Sequence, residues 1–477
     1  MIERLGFGEG NVMSRTSDVT LPDAWVSRAA RFAGVAFVTI ALSAGAQADT
    51  LSEALVQAYL GNPQLRAQRA DTRATDENLP NALSGYRPTV TAAADGGLLN
   101  EVYMQPGQTT HFLSHPAGAS VQITQNLFNG FRTENQVLLA QSQIMSSQES
   151  LRYTELSVFA SAVGAYMDVL RDSAIVGLRA SNVQALEQQR DDTCMQLKDG
   201  EKTRTDLSQA EAALSQGNLD LVTAETNLKV SLSVYRQIIG LEPKSLAAVK
   251  MLLVLLPHTL DEAFLIADAE HPLILAARHN VEEAEETIKI AEGSLLPTLN
   301  AVASASHNYN YGSVEGQRYN NYAVEAQLNI PVYDGGVSFS QIRQAKEKLG
   351  EALALSDQQR DQVRASVAQS FAAWKNSHRA IAAARAEVKQ NEAALAGVRE
   401  EARHGQRTTF DILYEQQSLL NARIVLITSE HDQVVVSFSL LAAIGRLSAQ
   451  TLGLDVPLYD AKAHFNQVKN KWIGTDP

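Results

Sequence analysis

Pro88-Thr89-Val90 returns as Pro297-Thr298-Leu299, and the same interval separates Thr50-Leu51-Ser52-Glu53-Ala54 from Thr259-Leu260-Asp261-Glu262-Ala263 and Asn62-Pro63 from His271-Pro272. Further on, the interval shortens by four residues and then holds. Asn129-Gly130 matches Asp334-Gly335, Gly200 matches Gly405, and Ile239-Gly240 matches Ile444-Gly445. The additional residues of the first copy fall between two strand-like runs, in a loop, where insertions are tolerated. Such a chain is a tandem duplication, and whatever one half folds into the other must also fold into. The expected division is repeat 1 at 49–257, repeat 2 at 258–445 and a C-terminal tail at 446–477, lying in a middle band.

Each repeat carries one strand pair, expected near 88–127 and 297–332. In the second, Leu295-Leu296-Pro297 closes a helical pattern, because proline disfavours helix in the residue before it. After a polar loop rich in tyrosine, Tyr322, Val324, Ala326, Leu328 and Ile330 fall on one face, and Ala323, Glu325, Gln327 and Asn329 on the other. A period of two with a polar reverse face suits a strand between lipid and a watery lumen.

The amino terminus predicts export. Arg28 and Arg31 precede an apolar run at 32–42, followed by Ala46-Gln47-Ala48, which gives a signal peptide at 1–48 with cleavage after Ala48. The stretch before it is long for a signal, so translation from Met13 is an alternative start. No cysteine follows the cleavage point, so no lipid anchor is expected. The single cysteine, Cys194, has no partner for an intrachain disulfide. No other window offers the roughly 18 apolar residues of a spanning helix, so any passage through a membrane falls to strands. The net charge of −13 does not fit a nucleic-acid binder.

Residues 131–198 and 337–404 are equally long, free of proline and helical in pattern. At about 1.5 Å per residue each would reach on the order of 100 Å, several membrane thicknesses. The arms that return are shorter and step by three and four. Leu207, Ala210, Leu214, Gly217, Leu221, Ala224, Leu228, Ser231, Tyr235 and Ile238 form one stripe. Phe410, Leu413, Gln417, Leu420, Ile424, Ile427, His431, Val434, Phe438 and Leu441 form the other, with Gln417 and His431 read as polar seam positions. Each arm is too short to retrace its long helix, and a second helical piece (51–86 or 258–295) makes up the difference. The long helices therefore turn near Gly200 and near Gly405 and return in two stacked pieces, with an irregular equatorial segment at 240–257.

Two strands per repeat make four per chain, and four cannot close a barrel in lipid, where open edges are not tolerated. Two chains would give a filled eight-stranded barrel, whereas three give twelve strands and room for a lumen. A homotrimer is the expected assembly. The fold class is thus mainly α, with long helical hairpins forming an α-barrel that continues into a trimeric twelve-stranded β-barrel.

At the turns the chain reads Gly200-Glu201-Lys202-Thr203-Arg204-Thr205-Asp206 and Gly405-Gln406-Arg407-Thr408-Thr409-Phe410-Asp411. Glycine supplies the left-handed residue that ends a helix, and threonine three residues before aspartate has the spacing of a capping box. Helix capping alone accounts for Asp206 and Asp411. Together with the duplicated Pro-Thr motif and Pro331-Val332-Tyr333-Asp334-Gly335-Gly336, however, Gly405-x-Arg407-Thr408-x-x-Asp411-x-Leu413 resembles the TolC family of outer-membrane export ducts over essentially 50–454. The resemblance implies a trimeric duct gated at its periplasmic tip. It implies that Asp411 stands in a ring of aspartates, that Tyr414 replaces a second ring acid, and that Arg407 links to the neighbouring hairpin at Thr205 and Asp206. Ala402 replaces a linking tyrosine. The implied partners are a periplasmic adaptor protein, an inner-membrane ABC or RND-type pump and outer-membrane lipid; no nucleic acid, cofactor or metal is implied. The missing lipidation cysteine favours the secretion subgroup over the lipidated efflux ducts.

Three other classes of protein fit the pattern less well. An enzyme needs converging catalytic groups, and the ten histidines are scattered, with no His-x-x-x-His pair on a helix, no Gly-x-Ser-x-Gly and no phosphate loop; His111 and His307 fall in expected loops. A trimeric adhesin translocator would place its four strands consecutively at the C-terminus. A periplasmic coiled-coil protein leaves the export signal and the strand pairs without a purpose.

Overall fold

The computed structural model describes residues 50–249, 255–310 and 315–476. The expected export signal lies outside them, as do 250–254 of the equatorial segment and 311–314 of the second strand loop. Repeat 1 runs α1 (Leu51–Gly61), α2 (Pro63–Asp76), α3 (Asn78–Leu83), β1 (Thr89–Gly96), β2 (Leu99–Gln105), β3 (Gln108–Ser114), β4 (Ala117–Phe128), α4 (Arg132–Lys198) and α5 (Arg204–Ile239). Repeat 2 runs α6 (Leu260–Glu270), α7 (Pro272–Gly293), β5 (Thr298–Tyr309), β6 (Arg318–Asn329), α8 (Val337–Arg403) and α9 (Thr409–Ala443), and the tail carries α10 (Ala461–Val468).

The short helices start where the duplicated sequence places a cap. Thr50 and Glu53 form a reciprocal capping box on α1. Asn62 Oδ1 accepts the Gln64 N–H at 2.9 Å to begin α2, and Pro63 at its first position has no N–H to satisfy. In repeat 2 the expected single pattern over 258–295 is instead two helices. His271 Nδ1 accepts the Leu273 N–H at 3.3 Å and Pro272 opens α7, so the copy breaks at the same point as the original.

The strands β1, β4, β5 and β6 form one antiparallel sheet in the order β1-β4-β5-β6, with a bulge between Asn126 and Phe128. Four strands per chain was the expectation, and the sheet has four. The loop of repeat 1, however, folds into a further hairpin, β2–β3, whose residues include the insertion that offsets the repeats. Tyr322, Val324 and Leu328 of β6 stand 78%, 86% and 61% exposed, an apolar face turned away from the protein. Among the described residues, neither β1 nor β6 has a second partner within the chain.

Both long helices have 67 residues, about 100 Å at the α-helical rise. Along α5, Ala210, Gly217, Ala224 and Ser231 are all buried at a strict spacing of seven. A Cβ on Gly217 would lie 2.8 Å from Leu186 Cδ1, so the small side chain sets how closely α5 approaches α4. On α9 the expected stripe holds at Leu420, His431, Val434, Phe438 and Leu441 but fails near the tip. There Phe410 and Gln417 are exposed, and Thr409, Gln416 and Leu419 are buried instead. Contrary to the hydropathy expectation, α9 contains an 18-residue window (mean hydropathy 1.3) apolar enough to cross a membrane. Its buried face nevertheless packs on α8 and α4, as a seam helix does.

The core lies where short and long helices meet, around Phe159, Tyr166, Leu440, Leu441, Ile444 and Leu447. The tail enters it through Leu447 and Ala449, whose N–H donates to Glu155 at 2.7 Å. From there it runs on along the short helices. Tyr459 N–H donates to Tyr59 Oη at 2.9 Å, and the Arg69 guanidinium lies between the rings of Tyr59 and Tyr459. Then α10 packs along α2, where His464 meets the fully buried Asp76 at 2.9 Å. Finally Arg87, two residues before β1, donates to the Lys471 carbonyl at 2.9 Å and covers the Trp472 ring. Side-chain contacts far apart in sequence carry the tail to the foot of the sheet.

Candidate functional site

The two hairpin tips are built by one device used twice. Gly200 and Gly405 have φ of +79° and +73°. Beyond them the Glu201 N–H donates to the Gln196 carbonyl and the Gln406 N–H to the Glu401 carbonyl, both at 2.9 Å, the six-to-one bond of a Schellman turn. Thr203 then opens α5. Its N–H and hydroxyl donate to Asp206 Oδ2 at 2.9 and 2.7 Å, and the Asp206 N–H donates back to Thr203 Oγ1 at 3.2 Å. Thr408 and Asp411 repeat this at 2.8, 2.8 and 3.3 Å.

These bonds hold both carboxyls below the usual carboxylate range. The Thr203 hydroxyl is the main cause at Asp206, and the Thr408 N–H at Asp411. Both tips therefore carry a fixed negative charge at neutral pH. Replacing Thr203 with alanine removes a cap and is expected to weaken the first turn of α5 by about 1 kcal/mol. Faster amide exchange at 203–206, with the rest of α5 unchanged, checks it.

The sequence did not announce that the hydroxyl of Thr409, buried where α9 opens in the other hairpin, lies near enough to the Asp206 carboxyl to help lower its pKa. The equivalent residue in repeat 1 is Arg204, so the duplication gave no hint of this contact. Within the chain Arg407 does not reach Thr205 or Asp206. Its Nε donates to Glu401 Oε2 at 2.7 Å inside its own hairpin. Glu401 is the nearest acid along the same turn, and the expected link would have to cross to another hairpin. Thr205 is exposed and unconstrained by burial. Tyr414 is 61% exposed and stacks on Phe410, with ring centroids 6.4 Å apart. Ala402 lines a polar groove of about 390 Å³ between the tips, with Gln189, Asp192, Lys202, Arg399 and Gln416.

Higher up, His431 binds Asp168 of α4 through Nε2 at 3.0 Å and Asp432 through Nδ1 at 2.8 Å. Arg171 bridges Asp168 and Asp172, and Asp172 takes the Ser231 hydroxyl. The seam histidine thus ties the second hairpin to the first. Among the described residues, no three His, Cys, Asp or Glu side chains converge in a way that could hold a metal.

Paired hairpins several membrane thicknesses long, joined to an open antiparallel sheet with an apolar outer face, define one protomer of an outer-membrane channel. The chain belongs to the outer membrane efflux protein family, which it matches over residues 54–241 and 266–446. It is 37% identical to the outer membrane efflux protein BepC of Brucella suis, over 91% of this chain and 94% of that protein. It is 26% identical to the outer membrane protein TolC of Escherichia coli, over 85% and 84%. Among solved structures, the CmeC outer membrane channel of Campylobacter jejuni superposes with a TM-score of 0.76 at 14% identity, over 88% of this chain and 89% of that one, which speaks for the fold alone. The protein resides in the outer membrane and serves as an exit duct, as members of this family do.

Proposed function

We propose that three copies close into one tube, a twelve-stranded barrel in the outer membrane continued by six helical hairpins, which passes cargo delivered by an inner-membrane ABC or RND-type pump through a periplasmic adaptor. One observation carries this reading: the open sheet ends on β1 and β6, and lipid offers neither edge a hydrogen-bond partner. β1 and β6 run in opposite directions, so β6 of one chain meets β1 of the next antiparallel, and the ring closes without an orphan strand. The groove between the tips is the surface that receives the adaptor.

The tips form the gate. Asp411, present once per chain, places three carboxylates around a narrow axis, which favours cations and impedes anions. The Asp206 carboxyl faces the Thr409 hydroxyl of the other hairpin, and on assembly Arg407 exchanges Glu401 for a neighbouring hairpin. Exposed pairs of this kind contribute only about 0–1 kcal/mol each, so a few substitutions suffice to loosen the ring. The combined Arg407→Ala and Asp206→Ala variant is expected to raise single-channel conductance in planar bilayers severalfold. Thr203→Ala, which frays a cap but leaves both charges in place, should raise it far less. Conductance equal to that of the unaltered protein would end the gating assignment, and a purified protein that stays monomeric and electrically silent would end the duct itself. Deleting the gene and comparing antibiotic susceptibility with the secreted proteome separates efflux from type I secretion as the cargo route.

A further inference from the structure

The end of the tail meets the sheet at an unusual place. Arg87 precedes Pro88 and β1, so the contacts from Arg87 to the Lys471 carbonyl (2.9 Å) and to the Trp472 ring (4.6 Å) fix the tail where the chain enters the membrane. Trp472 is nevertheless 67% exposed and Ile473 is 91% exposed, and Tyr86, next to Arg87 in the chain, is 53% exposed. A tail held only for packing would turn its tryptophan inward, as it does Val468, which is 1% exposed.

We infer that residues 469–473 form an interfacial anchor that inserts Trp472 and Ile473 into the periplasmic leaflet of the outer membrane, with phospholipid as the partner. Tryptophan at the boundary between headgroups and acyl chains is favourable because the ring is apolar and its N–H is polar. The charges agree with an anionic surface. Lys469, Lys471 and Arg87 flank the apolar pair, against Asp476 on the tail and Glu134 near Tyr86. The site is also continuous with the lipid-facing sheet, so the anchor extends a membrane surface that the protein already has.

The chain holds three tryptophans, Trp25 in the expected export signal, Trp374 and Trp472. Trp374→Phe therefore leaves Trp472 as the only emitter in the exported protein. The variant, purified as the assembled protein, is reconstituted into vesicles of phosphatidylethanolamine and phosphatidylglycerol carrying bromine either near the headgroup end or near the methyl end of the acyl chains. The expected result is loss of most Trp472 emission with the shallow bromines, little loss with the deep ones, and protection from aqueous acrylamide. Lys469→Gln with Lys471→Gln should weaken the shallow quenching. Full acrylamide access with no bromine quenching at either depth would overturn the inference. So would protection from acrylamide that persists in detergent and is indifferent to bromines, because that would place Trp472 against a neighbouring copy. Retention of Trp472 emission by purified peptidoglycan, rather than quenching by lipid, would overturn it as well.

Discussion

Gly130→Ala is expected to remove most of the folded protein from the outer membrane. Gly130 has φ +69°, and a Cβ there would lie 2.4 Å from the Gly293 carbonyl oxygen; conversely, a Cβ on Gly293 would lie 2.5 Å from the Gly130 carbonyl. The turn from β4 into α4 in one repeat thus crosses the end of α7 in the other, backbone against backbone. Alanine at 130 meets two penalties, about 1–2 kcal/mol for the left-handed conformation and about 1–3 kcal/mol for overpacking against a carbonyl that cannot rotate away. Gly293→Ala meets only the second. Denaturant midpoints should therefore fall in the order unaltered, Gly293→Ala, Gly130→Ala. Gly164→Ala, mid-helix with open space around it, should hold or gain about 0.5–1 kcal/mol. A Gly130→Ala protein as stable as the Gly164→Ala one would show that the two junctions do not touch.

The second large effect is acid sensitivity centred on His271. Burial, with help from Arg152, pushes its pKa from 6.5 down to about 4. Its Nδ1 must also stay unprotonated to accept the Leu273 N–H that caps α7. Above about pH 6.5 the ring is neutral folded or unfolded, and the native cap is undisturbed. As pH falls from there towards 4, the unfolded chain takes up the proton and the folded chain does not. Stability therefore declines across that window, by about 3 kcal/mol per chain in all. Repeat 1 supplies the control, because Asn62 makes the same cap with a group that does not titrate. His271→Asn should flatten the loss between about pH 6.5 and 4 in denaturant titrations, whatever its effect near neutrality. An unchanged slope would remove His271 as the cause.

His271 and Asn62 also show how far local chemistry is legible. A cap followed by proline acts within three residues, so the sequence announces it in both repeats. The Gly200 and Gly405 turns and the Thr203–Asp206 and Thr408–Asp411 boxes are equally local. The expected single pieces at 51–86 and 258–295 nevertheless run the helical pattern straight across these caps, and the structure breaks both, at Asn62-Pro63 and at His271-Pro272. Arg407 is the opposite case: its choice between Glu401 and another hairpin depends on distances that no spacing in the sequence encodes.

By itself, then, the sequence determined the duplication, the two long helices, the alternating strands and the small residues that bring α5 onto α4, because each rests on a short period or a neighbouring cap. Only the tertiary structure decided which acid Arg407 takes, that Asp206 faces Thr409, that His431 joins the hairpins through Asp168, and that the tail climbs α2 to Arg87. Those contacts join positions far apart in the chain, and their energies depend on where folding brings the partners together.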